Sequence, residues 1–245
     1  ARAEFDQKNK EQRIWIGLSL GAIMALAIII FLVVKGSHQR KKASALIEET
    51  NLLLKTKNDE IIDSITYAQR IQSAILPSSS KRTKIYGEHF ILFLPKDIVA
   101  GDFYWAESVI VEGKERLFFA VADCTGHGVP GAMVSVICSN ALNKTVLELG
   151  IFEPAAILEK VTELVINTFN QDNDSLQDGM DISLISMTKN KDKSIQLEYS
   201  GANNPLWVKF KDRTEITEIK GTKRPVGKYD IQTSFVNHSL ELSKG

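Results

Sequence analysis

The sequence is poor in cysteine and has no excess of charge. Only Cys124 and Cys138 occur among its 245 residues, too few for a disulfide framework or a zinc site. We therefore expect reduced thiols, with Cys138 as a small buried side chain. Thirty basic and thirty acidic residues give a formal net charge of zero, which offers no electrostatic basis for a nucleic-acid partner.

One long stretch lacks charged residues altogether. Residues 14–34 are apolar except for Ser19, and a helix of this length reaches the roughly 30 Å of a bilayer core. The alternatives are a buried core helix or a signal peptide, but the run is long for a signal peptide. We predict a transmembrane helix at 14–34 after a juxtamembrane segment at 1–13. Basic residues flank both ends, so their distribution leaves the orientation open.

A coiled-coil linker is predicted at residues 35–76. Its helical part, from Ala43, contains neither glycine nor proline, and a seven-residue apolar repeat predicts a left-handed supercoil. The alternative is one amphipathic helix packed on its own domain. Small residues four apart in the membrane segment also allow close helix approach, so we expect a homodimer. The repeat positions are Ile47, Leu54, Ile61, Ala68 and Ile75, and the small residues are Gly17, Gly21 and Ala25.

Residues 77–245 have the pattern of a globular domain. Pro130 and Pro154 each suit the first position of a helix, and the first of these helices is expected to reach Leu149. The second carries Leu158, Val161, Val165 and Phe169 on one face. Strands outnumber helices, which predicts an α+β fold, an antiparallel β-sandwich flanked by helices. Apolar runs predict strands at 90–94, 117–121, 182–187, 194–199, 206–210 and 231–236.

Two short motifs place an aspartate beside glycine and next to an apolar run. They are DIVAGDFYW at residues 97–105 and ADCTGHGVPG at residues 122–131. Carboxylates are the hard ligands that Mg²⁺ and similar cations prefer, and paired divalent cations activate water for phosphate hydrolysis. We therefore predict that Asp123 bridges two ions and that Asp102 faces the same site. The alternative for both is a helix cap or a turn former.

These motifs resemble the SpoIIE-like branch of the PPM (protein phosphatase 2C type) serine/threonine phosphatases. YSGANNPLWV at residues 199–208 and ITYAQRIQSAILP at residues 65–77 resemble the same family, and the motifs occur in the family's order. The resemblance implies a β-sandwich with outer helices and a site for two manganese or magnesium ions. It also implies a phosphorylated regulatory protein as substrate, often an anti-sigma-factor antagonist, and a cytoplasmic phosphatase domain on a single-pass membrane protein.

The resemblance also implies roles for particular residues. Asp123 would bridge the metals, the Cys124 carbonyl would add a ligand, and Asp102 would bind directly or through water. Lys96 is a candidate phosphate contact, with a solvated surface lysine as the alternative. His127 is expected to be structural rather than a proton donor, because metal-bound water can supply the chemistry.

Some expectations limit this assignment. The family places no metal ligand at Asp178 or Asp181, so these are expected to be turn and strand-start residues. Its later aspartates are not found before Gly245, so we expect the domain at 77–245 to be C-terminally incomplete. One alternative is a pseudo-phosphatase that binds a phosphoprotein without cleaving it. Another is a membrane-anchored sensor scaffold related to histidine kinases, but His38 precedes the linker helix and none lies within it.

Overall fold

The computed structural model describes residues 2–86, 88–169, 178–190, 194–211, 213–230 and 233–242. The chain divides into two units, Ala1–Ile62 and Asp63–Gly245. Helix α1 (Arg2–Ile75) forms the first unit and continues into the second.

The first unit is helical and exposes its apolar residues. Every large apolar side chain from Ile14 to Val34 is more than half exposed, and α1 is long and apolar enough to cross a membrane. Ile47, Leu54 and Ile61 of the seven-residue repeat are also more than half exposed. Burying these three side chains in the predicted seam would take a second helix.

The second unit is built on a six-stranded antiparallel sheet. Its main path runs β1-β2-β3-β4-β8, and β7 pairs with β3. A smaller sheet pairs β5 with β6. The hairpin between β1 and β2 turns at Glu112 and Gly113, which both have positive φ, as tight hairpin turns require. The strands are β1 (Phe103–Val111), β2 (Lys114–Cys124), β3 (Gly179–Lys189), β4 (Ile195–Ala202), β5 (Leu206–Lys209), β6 (Ile216–Ile219), β7 (Val226–Gly227) and β8 (His238–Leu242).

Two helices and one face of the sheet form the core. The helices that follow α1 are α2 (Ser79–Tyr86), α3 (Gly128–Asn143) and α4 (Pro154–Phe169), and a π-helical segment, Lys144–Glu148, extends α3. Alternate strand residues point to opposite faces of a sheet, which places one set against α3 and α4. Burying each large apolar side chain stabilises the fold by roughly 1.5–3 kcal/mol. This core includes Phe103, Trp105, Phe118, Leu142, Ile157, Leu158, Val161, Ile182 and Leu184.

The opposite face of the sheet is only partly covered. Phe119 and Val121 of β2 and Ile185 of β3 line a cavity of about 320 Å³, which Leu206 and Trp207 of β5 border. The side chains of this face are mostly apolar, and Val121 is 48% exposed. The face therefore keeps apolar surface in contact with solvent.

The α+β class and the antiparallel sheet are confirmed. The strands predicted at 117–121 and 182–187 lie within β2 and β3, those predicted at 194–199 and 206–210 overlap β4 and β5, and α4 begins at Pro154 as predicted. The strand predicted at 90–94 is wrong: this segment has no regular structure, and Phe90 is 90% exposed. An apolar run becomes a strand only where a neighbouring strand can accept its hydrogen bonds.

Other boundaries also differ from the prediction. α3 begins at Gly128, before Pro130, and a short helix that was not predicted, α2, follows α1. Of the strand predicted at 231–236, residues 231–232 lie outside the described residues and 233–236 are irregular; the strand at this end is β8.

Packing of α4 on the sheet predicts a large stability effect at Leu158, which is fully buried. We expect Leu158→Ala to lower the free energy of unfolding by about 2–5 kcal/mol, because it leaves a cavity in the core. Leu149→Ala is the control, since Leu149 is 45% exposed and its replacement should cost less than about 1 kcal/mol. Urea unfolding followed by tryptophan fluorescence measures both; equal losses would contradict this core.

Candidate metal centre

The two predicted aspartates meet at one end of the β1–β2 hairpin. Phe103 pairs with Ala122, so the next position of this register sets Asp102 opposite Asp123. The carboxyl group of Asp102 is near enough to affect the pKa of Asp123. Both residues keep contact with solvent, yet partial burial, followed by the hydrogen bond from Asp102 and its charge, raises the pKa of Asp123. A carboxylate whose pKa is raised beside a second carboxylate favours a cation at that position.

The aspartates line a cavity of about 440 Å³. Residues 90–94, Tyr104 and Phe119 form its apolar wall, and Asn204 lies at its edge. Among the described residues that line it, there is no lysine, arginine or histidine to neutralise the two carboxylates. A divalent cation would supply the missing positive charge.

Close backbone packing holds this end of the hairpin. A Cβ atom on Gly101 would lie 2.7 Å from the carbonyl oxygen of Gly126 and 3.0 Å from that of Cys124, so only glycine fits there. The Cys124 carbonyl therefore lies next to the residue that precedes Asp102. A backbone carbonyl is a hard oxygen ligand of the kind that magnesium and manganese bind.

The thiol of Cys124 is excluded as a ligand. Its side chain is buried in the core beside the fully buried Cys138, as predicted for Cys138. A hydrogen bond with the Cys138 thiol, followed by burial, raises the pKa of Cys124 far above its ordinary value. The thiol stays protonated in the core, and only the backbone of Cys124 is available to the site.

A buried glutamine ties the site to α1. The side-chain oxygen of Gln72 accepts a hydrogen bond from the Ala100 N–H (3.1 Å), and its amide donates to the Ala100 carbonyl (2.5 Å). The same amide nitrogen lies 3.0 Å from the hydroxyl of Ser135 in α3. Gln72 therefore fixes the backbone two residues before Asp102, a role that sequence reasoning missed, although Gln72 lies in the linker predicted at 35–76.

The turn after Asp123 is fixed from the other side by β3. Thr125 donates its backbone N–H to the Gly179 carbonyl (2.9 Å), and its hydroxyl lies 3.2 Å from the Gly179 nitrogen. His127 is 77% exposed, with Nδ1 3.6 Å from an Asp97 carboxylate oxygen. It makes no capping hydrogen bond at the start of α3. The structural role expected for His127 remains a prediction.

Two other residues considered in the sequence analysis, Lys96 and Asp181, differ in where they lie relative to the aspartate pair. Lys96 is exposed and is not among the residues that line the cavity, and its contact with phosphate stays a prediction. Asp181, expected to be a strand-start residue, lies within β3 and pairs directly with Asp123. The alternation of side chains along two paired strands is the sequence signal that could have placed Asp181 beside Asp123.

The donor set fits a hydrated divalent cation. Across the described ranges, no three His, Cys, Asp or Glu side chains lie together in a ready-made metal cage. Magnesium is commonly held by one or two carboxylates and keeps several waters. Two aspartates and a nearby carbonyl therefore match this type of site.

Comparisons with known proteins give one family and two solved structures to which this chain is similar. Residues 113–245 match the family model for Stage II sporulation protein E (SpoIIE). The solved SiaA-PP2C domain of Pseudomonas aeruginosa is 31% identical, with a TM-score of 0.63 over 76% of this chain and 69% of that chain. The RsbU and RsbW domains of Rv1364c from Mycobacterium tuberculosis are 22% identical, with a TM-score of 0.44 over 61% of this chain and 38% of that chain.

No curated protein matched the sequence. The family model nevertheless covers more than half of the chain, and the SiaA-PP2C domain is similar in both sequence and fold over most of its length. Asp102 directly precedes β1, and Asp123 lies near the end of β2. The chain therefore belongs to the SpoIIE family of PPM (protein phosphatase 2C type) phosphatases.

Proposed function

We propose that this protein is a metal-dependent serine/threonine phosphatase that dephosphorylates a regulatory protein in signal transduction. Membership of the family supports the reaction class, and the meeting of Asp102 and Asp123 supports metal dependence. The cofactor would be two manganese or magnesium ions. The substrate would be a phosphoserine or phosphothreonine protein of the anti-sigma-factor-antagonist type.

Residues of this chain would bind the cations and position the substrate. When bound, the paired cations supply an activated water and neutralise charge on the phosphoryl group. Asp123 would bridge them, with Asp102 and the Cys124 carbonyl as further ligands. Because both aspartates are exposed at the end of the sheet, a phosphorylated side chain on a protein surface can reach them. The apolar wall at 90–94 would contact the substrate residues that flank the phosphorylated side chain.

We further propose that the protein is anchored by a transmembrane helix at 14–34 and dimerises through the linker at 35–76, with its catalytic domain in the cytoplasm. The exposed apolar side chains of α1 support the membrane anchor and the dimer. α1 also carries Gln72, which holds the backbone before Asp102. A shift in helix packing would therefore move a metal ligand, which is a route for regulation.

Activity on a phosphoserine peptide tests the proposed function. We expect the full-length protein to release phosphate only with Mn²⁺ or Mg²⁺, and Asp123→Ala to lower the rate by at least about 100-fold. Asp178→Ala is the matched control, because Asp178 lies just before β3 and outside the cavity lining. Release of phosphate without metal would contradict the proposal. Binding of a phosphoprotein without any turnover would instead support a pseudo-phosphatase.

The charge of Asp123 should reduce stability when no metal is present. Its raised pKa means that the folded state binds more protons than the unfolded state, so stability is lost as pH rises above the usual value of 3.8. At neutral pH without metal, we expect Asp123→Asn to raise the melting temperature slightly, by roughly 1–2 °C after solvent screening. The variant should also lose the stabilisation by Mn²⁺ seen in the wild type. Thermal unfolding with and without EDTA measures both effects; a lower melting temperature for Asp123→Asn in EDTA would contradict this interpretation.

The contact between Gln72 and Ala100 predicts an effect on metal use. Gln72→Ala removes buried hydrogen bonds at a cost of about 1–3 kcal/mol and frees the backbone before Asp102. We expect the Mn²⁺ concentration for half-maximal activity to rise by about tenfold. Gln69→Ala is the control, because Gln69 lies on the same helix but is exposed. Indistinguishable Mn²⁺ curves for the two variants would show that Gln72 does not position the site.

A further inference from the structure

Four polar residues form one row across the end of the main sheet. Asp102 lies opposite Asp123 in the β1–β2 register, and Asp123 pairs with Asp181 of β3. Ile182 pairs with Ala202 of β4, so Asn203 follows opposite Asp181. Residues that face each other across neighbouring strands point to the same side of the sheet. Asp123 is therefore the middle member of three carboxylates.

Asn203 holds Asp181 in this row. The side-chain amide of Asn203 donates a hydrogen bond to Asp181 Oδ1 at 2.7 Å. Its backbone N–H donates to the Thr222 carbonyl at 2.8 Å, and the hydroxyl of Tyr199 donates to the Asn204 carbonyl at 2.7 Å. These bonds fix the turn that carries Asn203. A carboxylate offers about four lone-pair positions, so one accepted hydrogen bond leaves Asp181 able to bind an ion.

The spacing of the row matches a site for two ions. Facing residues on paired strands have Cβ atoms about 4.5–5.5 Å apart, whereas paired catalytic ions lie about 3.5–4 Å apart. A bridging carboxylate between two such ions needs a partner ligand on each side. Asp102 supplies one side of Asp123, and Asp181 lies on the other.

We propose that Asp181 is a third carboxylate of the metal centre, binding the ion on the far side of Asp123 from Asp102, and that Asn203 is its positioning residue. This inference rests on the proposed metal-dependent function. It assigns to Asp181 a role that the resemblance to the family did not, since Asp181 was expected only to begin a strand. Asp178 lies before β3 and outside this row, and it receives no such role.

Binding of Mn²⁺ to the full-length protein tests the proposal directly. Electron paramagnetic resonance of free Mn²⁺, together with calorimetry, gives the number of bound ions and their affinities without any need for turnover. We expect the wild type to bind two ions. Asp181→Asn, which keeps the shape and an oxygen for Asn203, should weaken one ion by at least about tenfold and leave the other unchanged. Asn203→Ala should weaken the same ion to a smaller extent.

Asp178→Asn is the matched control, because it removes one nearby negative charge outside the row. If Asp181→Asn and Asp178→Asn bind two ions with the wild-type affinities, Asp181 is only a structural residue and this inference fails alone. If the wild type binds no Mn²⁺, the proposed function fails together with it. Melting temperatures of the variants in EDTA identify any variant that binds weakly because it is unfolded.

Discussion

The site depends on one unfavourable contact, the approach of the Asp102 and Asp123 carboxylates. Partial burial, followed by the hydrogen bond and the charge of Asp102, raises the pKa of Asp123, so without a cation the folded state keeps the Asp123 carboxylate at a cost in stability. The two carboxylates stay close because the hairpin register sets them opposite each other. The packing of Gly101 against the carbonyls of Gly126 and Cys124 also holds the backbone beside them. A divalent cation would turn this repulsion into attraction, so metal binding and stability are coupled at this point.

The elements around this contact hold it from both sides. Gln72 of α1 fixes the chain before Asp102, and Gly179 at the start of β3 fixes the turn after Asp123. Both partners form hydrogen bonds to main-chain atoms of the site, and these bonds position the backbone more firmly than a flexible surface side chain would. The site therefore draws on segments far apart in sequence, and displacement of either one would move an aspartate.

Local sequence was sufficient to predict that Asp102 and Asp123 belong to one candidate site, but it did not predict which residues lie beside them. Asp102 and Asp123 each sit beside glycine at the end of an apolar run, and that pattern lies within a few residues. Asp181 is far from Asp123 in sequence, and the two meet only through the register of β2 with β3. A register is set by the whole sheet, because a slip of one residue would turn Asp181 to the other face. The register of β2 with β3 cannot be read from the sequence alone.

The same distinction between local signals and long-range pairing explains where the predicted fold was wrong. Pro154 and the apolar face of α4 are local signals, and the helix begins there. Residues 90–94 have the composition of a strand but pair with no strand in the described part of the chain, and Phe93 instead packs edge-on against Tyr104 with ring centroids 5.7 Å apart. This contact places the segment beside the cavity of Asp102 and Asp123. An apolar segment without strand partners is free to follow the shape of the cavity, so the segment at which the local prediction failed is the one that forms the apolar wall of the cavity.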